Sequence, residues 1–476
     1  MKEFPLYING MEVWAGNGWL PVINPATQEQ IGRVPVMSRQ QVRESIQCAM
    51  DAFQGWSKLP AKDRAKLLRD AAVVIYEEID RLSRILTAEQ GKPLSEARGE
   101  LTMAAEYLEW FSEESRRIYG ELIPASAVNK RLQVIRQPVG VVGAITPWNF
   151  PASMVTRKIA PALAAGCTVV LKPASATPLT AIALFEIFQR IGFPPGVTNL
   201  VVGSAKDIAD EFLSNPIVRK VSFTGSTEVG RTLIRGGAEQ IKKLSLELGG
   251  HAPFLVFDDC DLNDAVQGVI ASKYRNAGQT CICANRLYVQ SNVLEEFQYK
   301  LAAAVSHLKV GNGLDDGVDI GPMINTEARD HVINQVRDAV QRGGKVLTGG
   351  KIADVGLPGA FYSPTLLANV SDDAMLTREE TFGPLIGIRS FESEEEAIRL
   401  ANDTPYGLAA YVYTRDLGRV TRVSEALEYG IVGVNDPVPT VVQAPFGGIK
   451  ESGWGREGGW QGIDAYLETK FISIRY

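Results

Sequence analysis

The sequence predicts an α/β protein built on parallel sheets. Three features lead to that expectation. Short apolar runs alternate with helical stretches from Val139 onward. Before that point, long segments carry apolar residues at three- and four-residue spacing. Gly and Pro fall at the joints between them.

Taken in order, the first forty residues read as short strands and turns, with Asn24-Pro25-Ala26-Thr27 as a turn. Helical periodicity follows over Gln41 to Gln54 and Asp63 to Glu89, is punctuated at Gly91-Lys92-Pro93, and resumes from Leu94 to Tyr119. Arg131 to Arg136 alternates as a strand does. Val141 to Ile145 is a buried strand, Ala152 to Ala165 a helix and Thr168 to Leu171 a strand. Thr177-Pro178 reads as a helix N-cap followed by proline in the first turn, and that helix stops at Gly192. Thr198 to Val202 and Lys220 to Phe223 are further strands. A second α/β stretch runs from about Pro253 to Val432, with joints at Gly311-Asn312-Gly313, Gly349-Gly350 and Gly383-Pro384. The last residues, Phe471 to Tyr476, alternate again.

Composition narrows the class of function. At about 150 residues per domain, 476 residues suggest some three units. A net charge of -6 argues against nucleic acid or an anionic membrane as the main partner. The cysteines Cys48, Cys167, Cys260, Cys281 and Cys283 form an odd, sparse set, unlike a secreted disulfide framework. No apolar run approaches about 18 residues and the amino terminus lacks a signal-like apolar region, so a reducing cytoplasm is expected.

Four motifs carry candidate chemistry. In Asn276-Ala277-Gly278-Gln279-Thr280-Cys281, a cysteine ends a glycine-containing loop after a helix, where a nucleophile can be presented. Taken alone, such a cysteine is more often a small buried hydrophobe. In Glu247-Leu248-Gly249-Gly250, a carboxylate ends an apolar strand and is placed to project into a cleft. In Thr146-Pro147-Trp148-Asn149-Phe150-Pro151, two prolines fix a loop around an amide, which either donates to an oxyanion or caps the next helix. Phe223 to Gly230 contains Gly225 and Ser226 at a strand-to-helix turn, where backbone N–H groups favour an anion. The spacing Gly453, Gly455, Gly458 matches a dinucleotide fingerprint but lacks a strand–helix setting and is rejected as one. Cys281 and Cys283, with three histidines in the whole chain and none close by, make a poor zinc set, so no metal is expected. Asp261 reads as a helix N-cap.

Together, in this order, the four motifs resemble the aldehyde dehydrogenase superfamily over essentially the whole chain. Leu171-Lys172-Pro173-Ala174, Glu379 to Pro384 and Pro445-Phe446-Gly447-Gly448 add to the likeness. Within the family, Ile145 to Pro151, Lys172 to Ser175 and Arg275 to Asn285 look most like the succinate-semialdehyde dehydrogenases. The resemblance implies a Rossmann-like cofactor domain (1–119 and 139–248), an α/β catalytic domain (249–442) and a small β oligomerisation arm (120–138 and 443–476) in a homodimer or homotetramer. It implies Cys281 as nucleophile, Asn149 and the Cys281 N–H as oxyanion donors, and Glu247 as the base that activates water. Lys158 matches a lysine near the oxyanion asparagine, its part structural or in proton relay.

For the cofactor, the resemblance implies a cleft formed by Thr146, Pro147, Trp148, Lys172, Ser175, Gly225, Ser226, Glu380 and Phe382. Where many NAD-preferring relatives carry a glutamate, this chain has Ser175. NADP is therefore expected, with NAD left open as an alternative. Arg157 and Arg275 match the two arginines that hold the far carboxylate of a semialdehyde, and Thr440 stands where that branch has a serine. The loop Asn435 to Thr440, with its two prolines, leaves glutarate semialdehyde, 2-oxoglutarate semialdehyde and general aldehydes as alternative substrates. Cys283 resembles the partner of a regulatory disulfide with Cys281, or is a packing cysteine.

Overall fold

Strand Val141–Ile145 forms because five apolar or small residues in a row suit a position buried on both faces. It lies inside a six-stranded sheet whose order is Gly453–Trp454, Lys243–Glu247, Val218–Thr224, Val141–Ile145, Thr168–Lys172, Thr198–Leu200. All neighbours are parallel except the edge pair formed by Gly453–Trp454. The chain runs outward in one direction through Thr168–Lys172 and in the other through Val218–Thr224. A crevice therefore opens at the carboxyl ends of Val141–Ile145 and Val218–Thr224, the usual place for a ligand in such a sheet. The computed structural model that shows this describes residues 2–476.

A second sheet has seven strands, in the order Lys345–Thr348, Thr365–Ala368, Leu385–Phe391, Ala284–Gln290, Ala252–Val256, Ala409–Tyr413, Ile431–Val434. It too is parallel apart from the first edge pair. A third, antiparallel sheet joins Glu121–Ile123, Lys130–Pro138 and Leu467–Arg475. Leu122, Phe471 and Ile474 on it are exposed. Among the described residues, no helix is long and apolar enough to cross a membrane.

Several local expectations shift. The helical run expected over 63–89 breaks at Glu78 into Ala61–Glu77 and Ile79–Gln90. Thr177 does not cap helix Pro178–Arg190 with its side chain. The Glu89 carboxylate does so, accepting from the N–H groups of Leu179 at 2.6 Å and Thr180 at 2.8 Å. Asp261 caps helix Leu262–Val269 as its type suggests. Residues 443–466, expected in the arm, instead fold back over the first sheet: Gly453–Trp454 pairs with Lys243–Glu247, and only Leu467–Arg475 joins the small sheet. The glycines at 453, 455 and 458 take φ of 110°, 89° and 64°. That left-handed backbone is open to glycine, so the pattern marks a tight return of the chain rather than a phosphate loop.

Candidate active site

The loop that carries Cys281 is set by unusual backbone. Helix Leu262–Val269 passes into a π-helical turn over Ile270–Tyr274. Asn276 and Ala277 then both adopt left-handed backbone, φ 52° and 54°, a costly state for residues with a Cβ that must be held by partners. Asn276 has them: its N–H donates to Glu96 Oε2 at 2.8 Å, its Oδ1 accepts from Gln90 at 2.9 Å, and its amide donates to the Asn149 carbonyl at 3.0 Å. The loop delivers Cys281, which is 9% exposed, to the junction between the two large sheets.

Glu247 stands at the carboxyl end of its strand and meets the thiol. Cys281 Sγ lies 3.5 Å from Glu247 Oε1. The two glycines that follow the glutamate have a physical reason in Gly250, where a Cβ would fall 2.3 Å from the Cys281 carbonyl oxygen. Burial, and then the nearby Glu247 charge, push the Cys281 thiol well above its ordinary pKa, so the resting group is the thiol, with a carboxylate in range to take its proton.

Asn149 does not cap the following helix. That task falls to Glu100, whose Oε1 accepts from Ala152 N at 2.8 Å. One N–H of the Asn149 amide donates to the Gln279 carbonyl at 3.0 Å, which fixes the amide and leaves its second N–H for another acceptor. The backbone N–H of Cys281 makes no hydrogen bond with a described residue. These are two donors beside one sulfur, the arrangement that stabilises an oxyanion.

Behind Glu247 lies a buried charge network with a member the sequence did not reveal. Arg157 pairs with Glu247 through Nη2, and its Nε faces Glu457 Oε2 at 2.6 Å. Lys158 pairs with the other oxygen of Glu457. The Thr224 hydroxyl donates to Glu247 at 2.9 Å. Burial opposes the charge on all three groups. Glu247 and Glu457 outweigh it at Arg157, which stays cationic; Lys158 and Arg157 outweigh it at Glu457, whose carboxyl lies below its usual range; at Lys158 burial prevails and lowers the ammonium. The only sequence signal for Glu457 was the glycine run around it.

A cavity of about 220 Å³ leads from Cys281 past Met103, Phe150, Met154 and Phe446 to Arg275, with Glu96 and Thr440 also on its wall. Arg157 and Arg275 both reach it, but in different states. Arg157 is matched by two carboxylates. Arg275 is stacked over Phe150 at 5.4 Å and has no ion pair or hydrogen bond with a described residue. The Thr440 hydroxyl is buried without a partner.

On the other side of Cys281 is a cleft of about 250 Å³, lined by Pro147, Trp148, Asn149, Gly225, Ser226, Glu380 and Phe382 among others. It occupies the crevice at the switch in strand order. Ser226 caps helix Thr227–Gly237, whose positive end faces the cleft. Trp148 and Phe382 meet edge-on at 5.7 Å. Glu380 accepts from Gly250 N at 3.0 Å through one oxygen. Thr146 Oγ1 is buried without a partner. A phosphate-accepting helix end, an aromatic wall and spare acceptors fit a nicotinamide dinucleotide. Lys172 and Ser175 lie one strand over, outside the cleft wall: Lys172 Nζ donates to the Pro173 carbonyl at 2.9 Å, burial lowers its ammonium to about 8, and Ser175 is exposed. Cys283 is not brought to either cavity. Its Sγ lies 3.2 Å from the Gly278 carbonyl and 3.6 Å from Lys273 Nζ, and all five cysteines are free.

Such chemistry belongs to a nucleotide-dependent dehydrogenase that works through an acyl-enzyme. The sequence pattern of the aldehyde dehydrogenase family matches residues 14–472, and the chain belongs to that family. It is 54% identical over 468 residues to succinate-semialdehyde dehydrogenase (NADP(+)) of Escherichia coli strain K12, with 98% of this chain and 97% of the other covered. To glutarate-semialdehyde dehydrogenase of Pseudomonas putida it is also 54% identical, over 469 residues, with the same coverage. A crystal structure described as an E. coli NADP-dependent enzyme superposes with a TM-score of 0.98 at 53% identity, covering 100% of this chain and 98% of that one. The protein is therefore an oxidoreductase of small aldehydes.

Proposed function

We propose that the chain oxidises succinate semialdehyde to succinate with NADP, through a thiohemiacetal and then a thioester on Cys281. The observation that bears most weight is Arg275, an unpaired guanidinium on the wall of the cavity that ends on Cys281. A substrate carboxylate supplies the missing partner, and guanidinium matches carboxylate in a planar, two-point contact. The Thr440 hydroxyl adds a donor at the same wall. Arg157, already bound to Glu247 and Glu457, serves the reacting end more than the tail. The 54% identity to a glutarate-semialdehyde dehydrogenase favours a five-carbon semialdehyde as the second reading.

In this reading the Cys281 thiol passes its proton to Glu247 as the sulfur attacks the aldehyde carbon. The oxygen gains negative charge and draws on the second N–H of Asn149 and the N–H of Cys281. When bound, the nicotinamide supplies the acceptor for the aldehyde's hydride. Glu247 releases the first proton to solvent, then takes one from the water that hydrolyses the thioester and returns it to the departing Cys281 sulfur, a general-base contribution of roughly 10²–10⁴-fold. The exposed Ser175 brings no carboxylate against a 2′-phosphate, and Lys172 supplies a nearby cation, which favours NADP. Five unpaired cysteines suit the reducing cytoplasm. The small sheet, with Leu122, Phe471 and Ile474 exposed, suits pairing with a second copy in a homo-oligomer.

The test compares kcat/KM for succinate semialdehyde and butyraldehyde with NADP, in wild type and in Arg275→Ala. Losing a hydrogen-bonded charge is worth about 1.5–3 kcal/mol, or roughly 10- to 150-fold. The wild type is expected to prefer the acid-bearing aldehyde and the variant to lose most of that preference. Equal rates on both aldehydes in wild type would refute the reading.

A further inference from the structure

The wall of the tail cavity carries two carboxyl groups that the proposed reaction does not use, Glu96 and Glu100, and Glu100 is engaged by Lys92 at 2.6 Å. Glu96 lies in the first turn of helix Leu94–Glu114 and shares the cavity wall with Arg275. Its Oε2 accepts from Asn276 N at 2.8 Å, so the carboxylate is anchored to the residue next to Arg275. Yet Glu96 and Arg275 form no ion pair with each other: both face the cavity, and Arg275 stacks on Phe150 instead. A cation and an anion that share a wall without closing on one another act together on whatever lies between them.

We propose that Glu96 is a specificity-determining residue of the tail cavity: an ionisable counter-charge beside Arg275 that weakens the hold on an anionic substrate tail when it bears its charge. The inference rests on the reading of Arg275 as the tail anchor. With Glu96 neutral, the tail carboxylate meets the guanidinium alone. With Glu96 ionised, part of the attraction is cancelled. The charged groups around Glu96 are Lys92 at the entry to its helix, Glu100 one turn on and Arg275 from the nucleophile loop, with Arg157 on the same cavity wall. Burial raises the Glu96 carboxyl to about 7 although Lys92 and Arg275 draw it down, and Glu100 adds to the rise. Lys92 is itself held by Glu100 at 2.6 Å, and burial lowers its ammonium, which leaves Arg275 as the free cation at the tail. Glu96 therefore changes charge across the neutral range, while a substrate carboxylate stays ionised throughout.

The test is the ratio of kcat/KM for succinate semialdehyde over butyraldehyde, measured with saturating NADP from pH 6 to 8.5. Titrations that affect the thiol or the cofactor act on both aldehydes and cancel in the ratio. In wild type the ratio is expected to fall at least tenfold as pH rises through 7, the order for two like charges within about 12 Å of each other at an effective dielectric near 20. In Glu96→Gln, which keeps an acceptor for Asn276 N, the ratio is expected to stay high and flat. A residue that only braces the loop would lower both aldehydes alike and leave the pH dependence of the ratio in place. A flat, high ratio in wild type overturns the inference even if the variant fails to fold, as does the same fall in Glu96→Gln. A ratio near one at every pH overturns the tail anchor itself, a separate failure.

Discussion

Replacing Glu457 by Gln probes how the base is held. The buried network contains two cations, Arg157 and Lys158, and two anions, Glu247 and Glu457. The substitution removes one anion with almost no change of shape and leaves one buried positive charge unmatched. Breaking a buried pair typically costs about 3–5 kcal/mol. Lys158, already lowered by burial, responds by shedding its proton, which holds the loss near 3 kcal/mol. For a domain of 150–250 residues that is roughly 6–12 °C in Tm. Catalysis suffers at both steps that use Glu247 as a base. Without Glu457, Arg157 turns wholly to Glu247, and a carboxylate held harder by a guanidinium is a weaker base. The rapid-mixing burst of reduced cofactor is expected to form more slowly but keep its amplitude, because Glu247 also takes the Cys281 proton, while the steady rate of thioester hydrolysis falls about 10- to 100-fold. The acid limb gives a second readout. The Glu457 carboxyl is lowered in the folded state. Its stabilisation is therefore complete above the ordinary glutamate value and lost as pH falls below it, so Tm of the wild type drops more steeply in acid than that of the variant. An unchanged steady rate together with parallel acid limbs would refute this account of the network.

Gly250→Ala places a Cβ 2.3 Å from the Cys281 carbonyl oxygen; a shift of the nucleophile by about 1 Å is expected to lower kcat/KM by about 10²-fold, and wild-type rates would show that the loop yields freely. Lys172 is lowered to about 8 by burial, so its charge, and with it the extra affinity for a 2′-phosphate, is present below that pH and lost above it. Titration calorimetry should find the NADP-over-NAD preference falling between pH 7 and 9.5 in wild type and flat in Lys172→Met; a preference independent of pH in wild type would remove Lys172 from the phosphate site. Light scattering of a Phe471→Lys, Ile474→Lys double variant is expected to show a smaller assembly than wild type, and an unchanged mass would clear the small sheet of any role in association.

What the sequence made legible follows the range of the physics involved. The strands from Val141 to Thr224 could be read because burial on both faces writes itself as short apolar runs, and Asp261 could be read because capping is local. Thr177 looked like a cap for the same local reason, but Glu89, distant in sequence, took the N–H groups and no window around residue 177 contains it. Cys281, Glu247 and Asn149 stood out on short stretches rich in glycine and proline, yet each motif alone also allowed a packing or capping role, and only the resemblance to the family assigned them chemistry; what the fold adds is proximity, with Cys281 Sγ 3.5 Å from Glu247 Oε1. Glu457 was not, because its meaning lies in partners 299 and 300 residues away at Lys158 and Arg157. The two arginines make the same distinction within one motif. By type and place they formed a matched clamp; the fold supplies two carboxylates to Arg157 and none to Arg275. An arginine's function depends on which anion reaches it first. In this chain the protein's own carboxylates fill one guanidinium and leave the other unpaired on the cavity wall.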